Sequence, residues 1–425
     1  MMQTVCVIGL GYIGLPTASL LATKGFTVRG VDVKPSVVET INQGKIHIHE
    51  PDLDVLVKAA VQSGNLRAST EPAPADVFII AVPTPFCSGH TPDLTYIEAA
   101  SSAIAPHLRP GNLVILESTS PVGTTEKIGA WFTEQRPDLT ISTAPADTIP
   151  CSHPAGAVFL AHCPERVLPG QVLKELVEND RIIGGVDPPS AHAAQAFYEQ
   201  FVKGAILITD ARTAELSKLT ENSFRDVNIA FANELSMICD RLNVNVWDVI
   251  ELSNRHPRVN ILKPGPGVGG HCIAVDPWFI VDSAPEQARL IRTAREINDH
   301  KPHYVVAQVK EKADRFKHPK IACLGLAFKA NIDDLRESPA VEIVVELANE
   351  QVGSLLVVEP FIDQLPECLS GLDNVKLGEL YTSLADADIV LLLVDHSQFS
   401  KVKPEQIRDK IVLDTRGSWR HIITP

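Results

Sequence analysis

The segment VCVIGLGYIG, residues 5–14, decides the fold of this chain. It begins as the apolar run of a buried strand, and its glycines then follow the pattern G-x-G-x-x-G. The helical pattern PTASLLATKG, residues 16–25, comes directly after it. A strand, a glycine turn and a helix in this order predict the first βαβ unit of a Rossmann domain, whose helix N-terminus offers N–H groups to a pyrophosphate. We therefore expect the whole turn to contact a dinucleotide: Gly9, Gly11, Tyr12, Ile13 and Gly14.

A second strand, VRGVDV, brings Asp32 to the distance at which an acidic residue accepts a hydrogen bond from the adenosine ribose. A carboxylate there favours NAD over NADP because it repels the additional phosphate, although the nearby Lys34 weakens that argument. Thr84 and Thr119 follow two further buried strands and are candidates for the wall of the cofactor site. The alternative for the glycine turn is a strand–helix connection without a ligand, and for each threonine it is a role in the strand-end turn.

Apolar runs lie on both sides of a long helical pattern. Runs without polar alternation predict strands that are covered on both faces, and therefore parallel sheets. Such runs recur up to ILITD (206–210) and again from KIACLGLAFK (320–329) onwards. We predict an α/β fold of two Rossmann-like, doubly wound parallel-sheet domains joined by a long central helix. The predicted domain boundaries give 1–208, 209–300 and 301–425.

The helical pattern begins near Thr209 and contains neither Gly nor Pro up to Asn243. Its apolar residues recur at helical spacing and predict one broad buried face: Leu216, Leu219, Val227, Phe231, Leu235 and Ile238. Lys218, Asn222 and Arg225 stand at positions i, i+4 and i+7, so they share another face. That row is either a solvated polar stripe or a set of donors for an oxyanion and for phosphates.

Cys272 ends the glycine-rich loop GPGVGGHC, residues 265–272. A cysteine considered alone is an inert core residue more often than a nucleophile. Here the glycines allow backbone N–H groups to face a ligand, as an oxyanion site requires, and nearby dipoles or cations favour the thiolate. We expect no metal site, because no second ligand pair with zinc spacing accompanies His271 and Cys272.

Composition excludes several classes of partner. The net charge of −14 over 425 residues argues against a general attraction to nucleic acid or to an anionic membrane. No apolar run reaches the roughly 18–20 residues that span a bilayer. The eight cysteines show no CxxC spacing, which indicates reduced thiols. We therefore expect a cytoplasmic protein without nucleic-acid or membrane partners.

Taken together, these motifs resemble the UDP-glucose/GDP-mannose dehydrogenase family, and the similarity runs nearly end to end. The segments that carry it are, in chain order, VIGLGYIGLP, AVPTP, ESTSPVGTTEK, CPERVLPG, ELSKLTENSFRDVNIAFANE, PGPGVGGHCIAVDPWF and GLAFKANIDDLRESPA. The resemblance implies an NAD-dependent oxidation of a UDP-sugar at its C6 alcohol to the carboxylate, with two NAD per catalytic cycle. It implies UDP-N-acetyl-D-mannosamine as the sugar nucleotide, with UDP-glucose and UDP-N-acetylglucosamine as alternatives.

The resemblance also implies roles for individual residues. Cys272 matches the family nucleophile, which captures the intermediate aldehyde as a thiohemiacetal that is oxidised to a thioester and hydrolysed. Lys218 matches the lysine that supports the oxyanion and proton transfer, with Asn222 beside it. Asp276 matches an aspartate that helps to handle water, and Glu165 matches an acid–base residue of related enzymes.

Binding residues follow from the same resemblance. Arg336 would hold the cofactor. The substrate contacts would be Arg166, Val167, Lys218, Asn222, Arg225, His256, Arg258, Gly269, Phe328, Lys329 and Arg416. In relatives, the positions of His256 and Arg258 reach the substrate of a neighbouring subunit, which implies a homodimer or a higher homo-oligomer. Residues 209–300 would then dimerise and 301–425 would bind the sugar nucleotide.

Two other classes of protein remain open. A two-electron hydroxy-acid dehydrogenase also places Lys and Asn one turn apart on a long helix after a Rossmann domain, but it needs no cysteine. A non-catalytic nucleotide sensor would need none of Cys272, Lys218 and Asp276, and the presence of all three argues against it. The number of NADH formed per sugar nucleotide separates the first alternative from the four-electron enzyme.

Overall fold

The structure is a computed structural model that describes residues 3–48, 50–87, 89–141, 157–168, 170–270 and 272–423. His271, considered above as a metal ligand, lies outside these residues. The contacts divide the chain into two compact units, Met1–Glu221 and Asn222–Pro425, and the division falls inside the long helix. The three predicted domain ranges stay predictions.

The first unit is a sheet with helices packed on it. Its strands are β1 (Thr4–Ile8), β2 (Thr27–Val31), β3 (Leu66–Ser69), β4 (Val77–Ile80), β5 (Leu113–Leu116), β6 (Phe159–His162), β7 (Arg181–Gly185) and β8 (Ile206–Asp210). Its helices are α1 (Gly14–Thr23), α2 (Pro35–Asn42), α3 (Leu53–Gln62), α4 (Thr95–Ile104), α5 (Thr124–Gln135), α6 (Val172–Glu178) and α7 (Pro188–Tyr198), and α8 (Ala211–Leu242) leads out of the unit.

The strands described in this unit lie in the order β3-β2-β1-β4-β5-β6-β7-β8. All neighbours from β3 to β6 are parallel, which confirms the predicted doubly wound fold. Alternate residues of β1 enter cores on opposite faces: Val5 and Val7 join one core, and Cys6 and Ile8 join the other. The apolar run in the sequence is therefore explained by burial on both faces of the sheet.

One strand pair departs from the parallel pattern. β7 runs antiparallel to β6, with His162 opposite Gly184, and β8 pairs parallel with β7. Because the strands run in opposite directions, β7 begins at the edge of the sheet where β6 ends. The same register brings Arg181, the first residue of β7, opposite Glu165, which lies just beyond β6.

The buried face of α8 differs from the predicted one. Leu219 is buried, but Leu216, Phe231 and Ile238 are 45%, 54% and 48% exposed, so the prediction of one broad buried face is wrong for these three residues. Small and polar residues at helical spacing form the buried stripe instead: Ala214, Ser223, Asp226, Ala230 and Asn233. Short side chains allow close approach of the helix to its neighbours, and the large apolar residues stay on the face that the described residues leave open.

The second unit begins with helices and ends in a smaller sheet. Its helices are α9 (Val246–Ser253), α10 (Asp276–Ser283), α11 (Arg289–Ala313), α12 (Pro339–Asn349), α13 (Glu367–Ser370), α14 (Leu380–Asp386), α15 (Pro404–Ile407) and α16 (Arg420–Ile423). Its strands are β9 (Lys320–Leu324), β10 (Ser354–Val358), β11 (Val375–Leu377), β12 (Ile389–Leu392) and β13 (Ile411–Asp414).

The second sheet repeats the architecture of the first. In the described part of 222–425 the strands lie in the order β11-β10-β9-β12-β13, and every neighbouring pair is parallel. Ile321 and Cys323 of β9 enter one core and Ala322 and Leu324 enter the other, so this sheet is also covered on both faces. The described helices include none that is long and apolar enough to cross a membrane.

Candidate active site

The three glycines of the turn after β1 each have a different role. Gly9 has a φ of 91° and donates its N–H to the carbonyl of Val31 at 2.8 Å. A Cβ at Gly9 would stand 2.4 Å from the carbonyl oxygen of Ala81, and one at Gly14 would stand 1.8 Å from that of Gly9. At Gly11, by contrast, no described atom lies within 4 Å of a Cβ position. Two glycines are therefore required by the protein backbone, and Gly11 leaves open space where a pyrophosphate approaches the turn.

The other predicted cofactor residues lie at the same edge of the first sheet. Asp32 follows β2 and is held beside the turn, since its Oδ2 accepts from the Leu10 N–H at 3.2 Å and its Oδ1 from the Lys34 N–H at 2.9 Å. Thr84 follows β4, and its Oγ1 is buried without a hydrogen-bond partner in the described chain. Thr119 is half-buried after β5. An open turn, a fixed carboxylate and a buried hydroxyl that still has a bond to make fit an NAD molecule across these strand ends.

His47, which is not among the predicted site residues, lies near Asp32 at this edge as well. Burial lowers the pKa of His47, and the neighbouring carboxylate of Asp32 opposes that effect. The sequence carries no signal for this proximity, because the chain between α2 and α3 has neither strand nor helix pattern.

The segment CPERVLPG begins directly after β6 and is fixed from several sides. Glu165 is buried; its Oε2 accepts from Nη1 of Arg181 at 2.8 Å and its Oε1 from the Arg166 N–H at 2.8 Å. The guanidinium of Arg166 forms an ion pair with Glu221 at 2.7 Å. The side chain of Val167 packs against the core of the unit, so a substrate contact there would come from its backbone.

Lys218 is half-buried on α8, and its positive charge influences the last residue of β6. Burial, and to a smaller extent the positive charge of Lys218, lowers the pKa of His162, the last residue of β6, to about 3. An electrostatic interaction therefore links Lys218 to the residue that directly precedes the CPERVLPG segment. It also means that His162 stays neutral over the whole range in which enzymes are assayed.

In the second unit, Cys272 is exposed at the start of a turn that leads into α10. Its carbonyl accepts from the N–H groups of Val275 at 3.2 Å and Asp276 at 2.9 Å. Asp276, the first residue of α10, is 3% exposed, and its Oδ2 accepts a short hydrogen bond from Nδ2 of Asn222. The structure thus joins two predicted catalytic residues that lie far apart in the sequence.

The loop before Cys272 needs its glycines because it packs closely on the second sheet's domain. A Cβ at Gly269 would stand 2.4 Å from the carbonyl oxygen of Glu337, and one at Gly270, whose φ is 85°, would stand 3.0 Å from the ring of Phe328. At Gly265 it would stand 2.7 Å from Nη1 of Arg416. The glycines therefore let the loop backbone lie directly against Phe328 and Arg416.

Phe328 and Arg416 also line a cavity at the carboxyl ends of β9 and β12. Its walls are Pro266, Gly267, Ala327, Phe328, Lys329, Pro339, Ala340, Leu393, Val394, Asp395 and Arg416. Nε of Arg416 donates to Oδ1 of Asp395 at 3.0 Å, which holds the guanidinium at the rim. The junction of β9 and β12 is where the strand order of this sheet reverses, the position at which doubly wound sheets bind ligands.

Four predicted binding residues lie on the surface of the second unit, away from this cavity's walls. Arg225, His256, Arg258 and Arg336 are exposed. Nδ1 of His256 accepts from the Arg258 N–H at 3.3 Å, and Arg336 forms an ion pair with Asp334 at 2.6 Å.

A buried network behind the cysteine loop has no counterpart in the sequence predictions. Oδ1 of Asn233, on α8, accepts from the Gly265 N–H at 2.9 Å, and its Nδ2 donates to Asn298 on α11 at 2.9 Å. Asn298 in turn donates to Asp226 at 2.8 Å, and Asp226 forms an ion pair with the buried Arg295 at 2.6 Å. The start of the cysteine loop is therefore tied to two helices. Only the buried stripe of α8, which sequence periodicity misassigned, would have pointed to Asn233.

A glycine turn that fits NAD, a second doubly wound sheet with its own cavity and an exposed cysteine loop define a two-domain NAD-dependent dehydrogenase of a nucleotide-linked substrate. The chain belongs to the UDP-glucose/GDP-mannose dehydrogenase family and is an NAD-dependent UDP-sugar dehydrogenase. The NAD-binding domain of the family matches residues 3–202, the central domain matches 212–300 and the UDP-binding domain matches 322–421.

The following three relatives match nearly the whole chain. An NDP-N-acetyl-D-galactosaminuronic acid dehydrogenase of Ralstonia nicotianae is 63% identical, over 98% of this chain and 96% of the relative. A UDP-N-acetyl-D-mannosamine dehydrogenase of Escherichia coli K12 is 57% identical, over 98% and 99%. Among solved structures, the UDP-N-acetyl-mannosamine dehydrogenase of Staphylococcus aureus is 42% identical with a TM-score of 0.85, over 98% of this chain and 95% of that one.

Proposed function

We propose that this protein is a UDP-N-acetyl-D-mannosamine 6-dehydrogenase that oxidises the C6 alcohol of its sugar to the carboxylate in two successive steps. The observation that carries the proposal is the exposed Cys272 on a turn that leads into α10, whose first residue, the buried Asp276, is hydrogen-bonded to the half-buried Asn222. A thiol there serves to retain the half-oxidised carbon, which a two-electron alcohol oxidation does not require.

Cys272 acts as the nucleophile. The N-terminus of α10 follows four residues later, and the N–H groups of a helix N-terminus favour thiolate over thiol. The sulfur adds to the C6 aldehyde as a thiohemiacetal, and removal of a second hydride leaves a thioester that water hydrolyses to the acid. The Gly9–Gly14 turn, Asp32, Thr84 and Thr119 would hold NAD, which would accept one hydride in each of the two oxidations, so two NAD would be consumed per sugar.

Lys218 and Asn222 serve the developing oxyanion. They stand one helical turn apart on α8 and therefore point to the same side of that helix. A lysine ammonium and an amide N–H stabilise negative charge on the C6 oxygen. Asp276 has one oxygen bound to Asn222, which orients the carboxylate to handle the hydrolytic water, and Glu165 exchanges protons in the same reaction.

The uridine diphosphate binds in the cavity at β9 and β12. Phe328 offers an aromatic face to the base, and Lys329 and Arg416 offer positive charge to the diphosphate. Gly269 lets the loop backbone approach the sugar, while Arg166, Val167 and Arg225 complete the substrate contacts, and Arg336 contacts the cofactor. These assignments follow the family resemblance residue by residue.

The enzyme acts as a homodimer or a higher homo-oligomer. Phe224, Phe231 and Ile238 are spaced seven residues apart along α8 and are 72%, 54% and 48% exposed, which is an apolar stripe of the kind that a second chain covers. His256 and Arg258 are exposed and would reach the partner's substrate. Sedimentation should give at least twice the mass of one chain; the mass of a single chain at assay concentration would contradict the proposal.

The most specific part of the proposal is the stereochemistry of the sugar. The names of the Ralstonia and the Escherichia coli relatives both refer to N-acetylated amino sugars. We therefore favour a substrate with a 2-acetamido group over UDP-glucose. The 57% identity to the Escherichia coli enzyme supports the manno sugar. The 63% identity to the Ralstonia enzyme makes UDP-N-acetyl-D-galactosamine the second candidate.

The test is a panel of UDP- and GDP-sugars with NADH counted against sugar consumed. We expect UDP-N-acetyl-D-mannosamine to give the highest kcat/KM and two NADH per sugar. One NADH per sugar would identify a two-electron enzyme, and a preference for the galacto sugar would replace the substrate but keep the mechanism. Cys272→Ala should bind the sugar nucleotide yet form no acid; acid formation at the normal rate would remove the thioester from the mechanism.

A further inference from the structure

A buried cluster of titratable side chains lies beneath the CPERVLPG segment. Tyr198, at the end of α7, donates from its hydroxyl to Oε1 of Glu117 at 2.8 Å. Arg181 donates to Glu165 at 2.8 Å, and its guanidinium lies 5.1 Å from the centre of the Tyr198 ring. Glu117, Arg181 and Tyr198 are each at most 3% exposed, and Cys163 is fully buried beside them. Of these side chains only Glu165 has an assigned role in the proposed reaction.

The antiparallel start of β7 creates this cluster. Glu117 follows β5 and Glu165 follows β6, so both carboxyl groups lie at one edge of the sheet. A parallel β7 would have left its first residue at the opposite edge. Because β7 runs the other way, Arg181 meets the two carboxyl groups where the strands of the proposed active site end.

The charges of the cluster do not balance when both carboxyl groups are ionised. Two carboxylates face one guanidinium, and each isolated buried charge carries a large desolvation penalty. Glu165 has the better partners, because its two oxygens accept from Arg181 and from the Arg166 N–H. Glu117 accepts one bond from a neutral hydroxyl, and its Oε2 is buried without a partner in the part of the chain that the structure describes. The cluster is best satisfied when Glu117 is neutral and Glu165 is the anion.

We propose that Glu117 is the protonated one of the two carboxyl groups in this cluster, so that the Glu165–Arg181 ion pair stays charged and Glu165 is kept as the proton acceptor of the site. Arg181, Tyr198 and Glu117 are then positioning residues, since none of them is assigned a contact with substrate or cofactor. The catalytic consequence rests on the proposed function, but the location of the proton does not.

The surroundings of Glu117 support this location. Burial and the charge of Glu165 raise the pKa of Glu117, Arg181 and the Tyr198 hydroxyl oppose them, and the net pKa is about 7. Burial also raises the pKa of Cys163 to about 12, so this thiol stays neutral. Burial likewise keeps Tyr198 protonated. Glu117 is therefore the member of the cluster that changes charge near neutral pH.

Because of the proton on Glu117, the stability of the folded protein should fall as the pH rises. The folded state binds this proton more tightly than the unfolded chain, whose carboxyl group has a pKa of about 4.5. The stabilisation is fully present below that value and is lost as the pH rises through about 7. Glu117→Gln imitates the protonated form at every pH, so its Tm relative to the wild type should increase by several degrees between about pH 5 and about pH 8.

The matched control is Glu178→Gln, which removes an exposed carboxylate that pairs with Lys174 on the surface of α6. Its Tm difference from the wild type should be the same at both pH values. If the Tm difference of Glu117→Gln is equally independent of pH, the proton is not on Glu117 and the proposal is overturned. Infrared spectra give an independent reading, because a protonated-carboxyl band present in the wild type at mildly acidic pH should be absent from Glu117→Gln.

Tyr198→Phe keeps the proposal testable if Glu117→Gln does not fold. Loss of the hydroxyl removes the donor to the ionised form of Glu117, so this variant should lose more stability at about pH 8 than at about pH 5. A purely structural role of the ring would lower Tm equally at both pH values and would count against the proposal.

Activity measurements separate the location of the proton from its effect on catalysis. Above neutral pH, an ionised Glu117 competes with Glu165 for Arg181, so the ratio of kcat for Glu117→Gln to kcat for the wild type should rise with pH while KM for NAD stays constant. A flat ratio together with the expected Tm behaviour would locate the proton but remove its effect on catalysis. An enzyme that oxidises no nucleotide sugar would overturn the proposed function and leave the Tm test valid.

Discussion

The two sheets of this protein share one topology but treat their first turn differently. The strand orders β3-β2-β1-β4-β5 and β11-β10-β9-β12-β13 are the same. Gly9 and Gly325 end the central strands with φ values of 91° and 93°, and each donates its N–H at 2.8 Å to the last carbonyl of the neighbouring strand. A carboxylate follows that neighbouring strand in both units, Asp32 in the first and Glu359 in the second.

The turns differ in the residues that follow the shared glycine. The first turn continues through Gly11 to Gly14, where α1 begins at once. The second has Ala327 and Ala330 at those positions, and its helix α12 begins only at Pro339. The second turn therefore lacks both the open space and the adjacent helix N-terminus that a pyrophosphate needs.

The two carboxylates also differ in what they hold. Asp32 accepts one N–H from its glycine turn, at 3.2 Å from Leu10. Glu359 accepts two, from Leu326 at 2.7 Å and Ala327 at 3.1 Å. The second turn has the amide groups of Leu326 and Ala327 occupied by its own protein. In the proposed function, the uridine diphosphate would therefore be bound by side chains and by the cysteine loop, whereas the pyrophosphate of NAD would approach the backbone of the first turn.

The largest effect is expected from replacing Gly14, one of the two glycines that the first turn has and the second lacks. A Cβ at Gly14 would stand 1.8 Å from a backbone oxygen, so Gly14→Ala should displace the turn, cost about 1–3 kcal/mol or more in stability and abolish NAD binding. The matched change, Ala330→Gly, should cost at most about 1 kcal/mol and leave NAD binding intact. Calorimetric unfolding and NAD titration check both. Gly14→Ala that binds NAD with wild-type affinity would show that the two turns are equivalent.

The next effect is expected at Glu359. Burial raises the pKa of its carboxyl group, but hydrogen bonds from His396 and from the Leu326 N–H outweigh burial and leave the pKa below its usual value. Nδ1 of His396 accepts from the Asn331 N–H at 2.9 Å, so Nε2 carries the hydrogen and donates to Glu359. Glu359→Gln should lower stability by about 1–3 kcal/mol at neutral pH.

The sign of the pH dependence follows from the lowered pKa. The carboxylate of Glu359 stabilises the folded state above its ordinary pKa of 4.5 and ceases to do so as the pH falls through the lower folded value. The difference in Tm between Glu359→Gln and the wild type should therefore shrink in acid. Glu367→Gln, at an exposed position of α13, serves as the control and should show no such trend. If the Tm difference between Glu359→Gln and the wild type does not depend on pH, the substitution destabilises the protein through altered packing and not through the lost charge.

Apolar runs in the sequence located β1, β4 and β5, which are buried at nearly every position because both faces of the sheet are covered. They also located β2, although Thr27 is exposed and Arg29 is half-buried, and β8, whose Leu207 and Ile208 are 54% and 40% exposed. β3, with the sequence LRAS, and the three-residue β11 carry too few apolar residues to stand out. The glycine turn and Asp32 were predictable because ligand and backbone geometry both restrict their residue types.

What the sequence could not predict depends on direction and on contact between distant segments. The pairing of Arg181 with Glu165 exists because β7 is antiparallel, and apolar runs carry no information on strand direction. The buried stripe of α8 was misassigned because short residues such as Asn233 replace the large apolar ones that periodicity searches for. The bond between Asn222 and Asp276 likewise follows from tertiary packing.

The smallest expected effect separates a carboxylate that binds a ligand from one that only holds a turn. In Asp32→Asn the side-chain oxygen can still accept one of the two backbone bonds, so stability should change by less than about 1 kcal/mol. NAD affinity should fall by roughly tenfold, about 1.4 kcal/mol, because the amide is a weaker partner for the ribose hydroxyl. The preference for NAD over NADP should narrow as well, since the repulsion of the extra phosphate is lost. Titrations with both cofactors check the prediction, and an unchanged ratio of their Kd values would reduce Asp32 to the structural role of Glu359.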